Sequence, residues 1–126
     1  MHVWPIRVYY EDTDLAGVVY YANYLRFIER ARTEWARARG VDQGRLLEEE
    51  GLVFAVRRVE ADYLVPARFD DILEIRTELA EASGARVTLV QEVWRGERRL
   101  FAARVTLVAM DAGGRPRRIP ASLLGS

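Results

Sequence analysis

The sequence predicts an α+β domain: a five-stranded antiparallel sheet with one face packed against one long helix. Three observations carry this. Apolar residues from Tyr24 to Arg39 recur at three- and four-residue steps, the period of a helix with one buried face. Beyond Gly51 the apolar period changes to two, as in strands. Turn residues then divide the rest of the chain into four consecutive strands, which tight turns join antiparallel. At 126 residues, 50% of them hydrophobic, this is one globular domain, 1–126.

Element by element, VWPIRVYY reads as a first strand. The long helix buries Tyr24, Phe27, Ile28, Ala31, Trp35 and Ala38, and Gly40 ends it. Asp42 caps a short helix through Leu46, Leu47 and Glu50, which Gly51 stops. In VFAVRRVEADYLV, residues 53, 55, 59, 61, 63 and 65 are apolar, while Arg58, Glu60 and Asp62 occupy the other face. Phe54 and Val56 break that alternation, which marks this end of the strand as covered by a ligand or a partner subunit. PARFDD turns the chain, and ILEIRTELAEA buries Leu73, Ile75 and Leu79. SGAR and RGERR are turns flanking the strand RVTLVQEVW, LFAARVTLVAM is the last strand, and DAGGRPRRIP leads into a short tail. An open sheet with one helix leaves edges and a face exposed, which oligomerisation covers.

Absent residues narrow the chemistry. There is no cysteine, which removes disulfides, thiolate nucleophiles and thiolate metal sites. The single histidine, His2, stands at the N-terminus, outside the rigid setting that a serine triad, a histidine-bound zinc or a histidine-dependent hydratase requires. Ser83, Ser122 and Ser126 fall in turns or the tail, and lysine is absent. A reactive side chain is therefore a carboxylate, with tyrosine the weaker candidate. No metal ligand set is visible. Zero net charge argues against a general pull toward nucleic acid. No run approaches the ~20 apolar residues of a membrane helix, and MHVWPIRVYY lacks the features of a secretory signal, so the expected compartment is the cytoplasm.

The stretch YEDTDLAGVVYYANY holds Glu11, Asp12 and Asp14, which would repel one another if all were buried. By residue type alone it is an acidic turn whose side chains bond nearby backbone, followed by packing tyrosines. The longer run YEDTDLAGVVYYANYLRFIERARTEW, however, resembles the hotdog-fold acyl-CoA thioesterases, specifically the branch containing 4-hydroxybenzoyl-CoA thioesterase and the Tol-Pal-associated thioesterases. YLVPARFDDILEI is a second, looser match, and the element order extends the resemblance over nearly the whole chain.

The resemblance implies a sheet wrapped around the long helix and hydrolysis of an acyl-CoA thioester to free acid and CoA. It implies no cofactor, CoA being part of the substrate. It implies a homodimer joined sheet to sheet with two sites, and a homotetramer built from it. It makes Asp14 the residue that attacks the thioester or activates water, and leaves Asp12 structural. The oxyanion donor becomes the backbone N–H of Tyr21, at a helix start where N–H groups lack internal partners and the dipole favours negative charge. The Tol-Pal branch usually carries His at the position of Tyr21 and the 4-hydroxybenzoyl branch an aromatic, whereas ANYLRFIERARTEW sides with the former. Glu29 and Glu34 lie on the long helix, where surface ion pairing is the default and another hotdog branch places its acid. Phe54 and Val56 become candidates for the acyl pocket or an interface. Arg86, Arg115, Arg117 and Arg118 become candidates for the CoA phosphates, whose oxygens suit a guanidinium fork. The rival expectations are a non-catalytic acyl-CoA-binding hotdog protein and a hotdog dehydratase acting on carrier-bound acyl chains. The lack of a site histidine disfavours the second. Neither nucleic-acid binding nor integral membrane association is expected.

Overall fold

The period-two segments pair into one antiparallel sheet, seen in a computed structural model that describes residues 1–125; Ser126 lies outside the described residues. The strands are β1 (His2–Arg7), β2 (Val53–Tyr63), β3 (Ile72–Ser83), β4 (Arg86–Arg95) and β5 (Arg98–Met110), in the order β1-β3-β4-β5-β2. The helices are α1 (Asn23–Ala38), α2 (Gln43–Glu50) and α3 (Ala121–Leu124), with a 3-10 turn at Tyr10–Asp12.

Three expectations about elements change. PARFDD is not a hairpin turn: β2 and β3 are not neighbours, and residues 64–71 carry the chain across the ends of β5 and β4. That crossing sets the apolar β4 and β5 in the middle of the sheet and leaves the short β1 and the charged β2 at its edges. The first strand stops at Arg7, because its partner strand β3 begins at Ile72, opposite that residue. On α1, Ala36 rather than Ala38 is buried; Arg37 and Ala38, the last two residues of the helix, are both exposed. The tail also holds the short α3, whose Leu123 is buried.

α1 lies on the sheet through two groups of buried residues. Its first half places Phe27, Ile28 and Ala31 against Leu73, Ile75, Val93 and Phe101. Its second half places Trp35 and Ala36 against Val87, Leu89, Ile119 and Leu123. Each fully buried Phe, Leu or Ile contributes about 1.5–3 kcal/mol relative to exposure. One polar link crosses this layer: Gln91 on β4 donates to the Ile28 carbonyl at 2.9 Å and accepts from Arg32 at 3.0 Å. Every polar atom of Gln91 is thereby bonded, which is what burial of an amide requires.

β2 is the unusual strand. A bulge between Val56 and Arg58 shifts its register against β5, so the alternation read from the sequence does not run straight through it. Its outer edge carries no strand, and Val56, Val59 and Tyr63 remain 50%, 38% and 48% exposed. An edge eleven residues long with apolar side chains is the kind that proteins normally cover.

Candidate active site

The acidic stretch folds as a turn fixed largely by its own backbone. Asp12 accepts from the Tyr9 N–H through Oδ2 at 2.8 Å, the structural role expected of it. Asp14 accepts from the Ala16 N–H at 2.9 Å and the Val18 N–H at 3.4 Å, both through Oδ1. Gly17 closes this turn at φ +80°; a Cβ there would meet no atom, so the backbone angle alone demands glycine. Asp14 is exposed, and among the described residues nothing bonds its Oδ2. Glu11 is exposed as well.

The chain then enters α1 without a side-chain cap: the N-cap position is Ala22. The Asn23 N–H bonds the Tyr20 carbonyl at 2.8 Å, and the Tyr20 N–H bonds the Asp12 carbonyl at 2.9 Å. Among the described residues no acceptor meets the N–H of Tyr21. The Tyr21 carbonyl is engaged, accepting from the Tyr63 hydroxyl at 3.0 Å. Tyr24 is buried and accepts from the Ala67 N–H at 2.9 Å, and its ring stacks on Phe101 with 5.0 Å between centroids. Burial pushes the hydroxyl pKa of Tyr24, and that of Tyr63, above the ordinary tyrosine value. A hollow of about 210 Å³ opens here, between Val19, Tyr21, Tyr24, Tyr63, Val65 and Pro66.

Phe54 and Val56 line a different pocket, of about 240 Å³, with Glu29, Arg32 and Thr33 of α1 and Leu89 of β4. Glu29 is exposed and accepts from the Thr33 hydroxyl at 3.4 Å. Arg32 is half-buried, and burial lowers its pKa against the opposing charge of Glu29. Glu34 stands apart: it pairs with Arg37 at 2.8 Å, not with Arg30 one turn earlier. The candidate phosphate ligands gather elsewhere. Arg86 and Arg57 line a hollow of about 390 Å³ beside Pro116, the neighbour of Arg115 and Arg117. Arg86, Arg115, Arg117 and Arg118 are all exposed, and among the described residues none of these cations is in an ion pair.

Within one chain these places are not one site. Tyr63, which touches Tyr21, is the last residue of β2, whereas Phe54 is its second. Nine steps along the strand separate them by roughly 30 Å. Tyr63 and Arg57 carry no mark of a site in the sequence: Tyr63 reads only as an apolar strand position, and Arg57 stands at the bulge, a register shift that no residue of β2 announces.

Fold and turn together define a hotdog-fold thioester hydrolase. The chain belongs to the Thioesterase superfamily, whose family model matches residues 16–102. It is 46% identical over 110 residues to the acyl-CoA thioesterase YbgC of Haemophilus influenzae, covering 87% of this chain and 81% of the relative. It is 43% identical over 123 residues to the acyl-CoA thioester hydrolase YbgC of Escherichia coli, covering 96% and 91%. Among solved structures, the probable thioesterase of Bartonella henselae superposes with a TM-score of 0.91 at 40% identity, covering 94% of this chain and 98% of that one. The hotdog architecture and the family expected from the acidic run are therefore found. No helix of the described residues is long and apolar enough to cross a membrane.

Proposed function

We propose that this chain hydrolyses acyl-CoA thioesters to a free acid and coenzyme A, with the Asp14 carboxylate and the Tyr21 N–H as the reacting pair. The observation that carries this is that both groups are unclaimed within the fold: Asp14 keeps Oδ2 free, and the Tyr21 N–H has no acceptor among the described residues. A thioester carbonyl between them would develop negative charge against the N–H as the nucleophile adds to its carbon, and would lose that charge as the C–S bond then breaks. The helix-start dipole favours that charge. Asp14 would either attack the carbonyl carbon, expelling the CoA thiolate and leaving a mixed anhydride that water then hydrolyses to the free acid and the carboxylate, or take a proton from a water that attacks the carbon directly as the thiolate leaves. No metal and no cofactor enters this scheme.

The separation of the pockets along β2 favours a dimer. Antiparallel pairing of β2 with its own copy, about a two-fold near Arg58, would set the Val53–Val56 end of one strand beside the Tyr63 end of the other. Each Tyr21 would then face the Phe54 and Val56 pocket of a second copy as its acyl site. Arg86, Arg115, Arg117 and Arg118 supply the phosphate contacts in this scheme, two dimers form a tetramer, and the enzyme works in the cytoplasm. A panel of acyl-CoAs of graded length, with aliphatic and aromatic acyl groups, tests the reaction. Release of free CoA together with the matching acid is expected for part of the panel. Binding without release would make the chain a non-catalytic acyl-CoA binder. Light scattering at micromolar concentration should give at least a dimer mass, and a monomer would remove the proposed composite site.

A further inference from the structure

Asn23 is the first residue of α1 and carries an amide, which does not titrate and cannot serve as the reactive group. Its bonds are nonetheless concentrated around the reacting pair. The side-chain Nδ2 donates to the Asp12 carbonyl at 2.9 Å. The same carbonyl accepts from the Tyr20 N–H at 2.9 Å, so both of its lone pairs are committed to the helix start. The two donors flank Tyr21 in sequence, one before it and one after. Moreover, the Tyr20 carbonyl shares a peptide group with the Tyr21 N–H and accepts from the Asn23 N–H, which polarises that N–H as a donor. Among the described residues, Asn23 is the one side chain whose hydrogen bond ties the Asp12–Asp14 segment to α1 itself.

We propose that Asn23 is a positioning residue: its side chain brackets the Tyr21 peptide against Asp12 and so fixes the oxyanion donor relative to the Asp14 carboxylate. This rests on the assignment of Asp14 and Tyr21 as the reacting pair. A shift of an ångström between reacting groups costs on the order of a hundredfold in rate.

The test compares Asn23→Ala, Asn23→Ser and Asn23→Asp with Asp14→Asn in the full chain, at a temperature where each variant keeps the wild-type oligomer. The probe for binding is an acyl-CoA thioether analogue, which has no carbonyl to become an oxyanion. Asn23→Ala and Asn23→Asp should lose about 30- to 100-fold in kcat, with KM and analogue affinity within about threefold of wild type. Asn23→Ser keeps a donor on a shorter arm and should recover part of kcat. If Asp14→Asn turns over normally, the site assignment falls and the bracket falls with it. If Asp14→Asn is inactive while a folded Asn23→Ala or Asn23→Asp keeps kcat within about threefold, the bracket alone is overturned. Loss of analogue binding in step with kcat would overturn it as well, because a merely structural residue disturbs both. Should Asn23→Ala fail to fold, Asn23→Leu, near-isosteric and uncharged, decides.

Discussion

α1 and α2 begin in opposite ways. α2 is capped as a soluble helix usually is: the Asp42 side chain accepts from the Arg45 N–H at 3.0 Å, and the helix closes on Gly51 in the left-handed conformation at φ 62°. α1 has alanine at the same position and no side chain on its first N–H groups. The longer helix goes without one. Orphan N–H groups at a helix start cost stability unless water or a ligand takes them. The contrast teaches that one start is closed by its own side chain, while the other is left free for the anion that the proposed mechanism puts there.

The sharpest way to break that contrast is to remove the acid proposed to work with the open start. Asp14→Asn keeps the shape of the turn but can neither attack nor accept a proton, and turnover should fall about a thousandfold with folding intact. Steady-state rates within about threefold of wild type would end the proposed role. Tyr21→Pro removes the donor itself and should cost about 10²- to 10³-fold, whereas Tyr21→Phe should stay within about tenfold. A thousandfold loss in a folded Tyr21→Phe would make the phenol the catalyst. Ala22→Asp puts a negative charge where α2 carries its own, and should lower kcat about tenfold while leaving stability equal or raised. An unchanged kcat would show that the open start is not where charge develops.

Two smaller effects sharpen the comparison from the stability side. The Tyr24 pKa is raised by burial, so the folded protein holds that proton at pH values where the unfolded tyrosine has lost it. Its contribution is complete below about pH 10 and is lost as pH rises through the raised folded value. Denaturant titrations at pH 8 and pH 11 should show this alkaline loss, and it should shrink in Tyr24→Phe. That variant also forfeits about 1–3 kcal/mol at pH 8, because the Ala67 N–H is left unpaired. Asp42→Ala should cost about 1 kcal/mol and change no kinetic constant. A kinetic effect there would mean that α2 is coupled to the site.

Local patterns made much of this legible. The apolar period of α1, the cap at Asp42 and the stop at Gly51 are written in neighbouring residues, and the structure has them within a residue of their expected ends. The acidic run with VVYYANY identified the family for the same reason. Strand order was not legible, because β2 pairs with β5 across some fifty residues and no local residue specifies that choice. The bulge that displaces Arg57 arises from the same distant pairing. The assignments of Phe54, Val56 and the arginines met a related limit: pattern marked them as special, but one chain places them at the far end of β2 from Tyr21.

Arg39, just beyond α1, bonds the carbonyls of Leu123, at 2.7 Å, and of Gly125, while its guanidinium lies 4.8 Å above the Trp35 ring. Residues 84 positions apart therefore complete one joint over the second half of the core. During synthesis at about 5–20 residues per second, α1 waits several seconds for that joint. In the interval Trp35 and Leu89 have no cover from Leu123. The nascent chain is thus least covered on this half of its core after α1 has been made and before Leu123 has arrived.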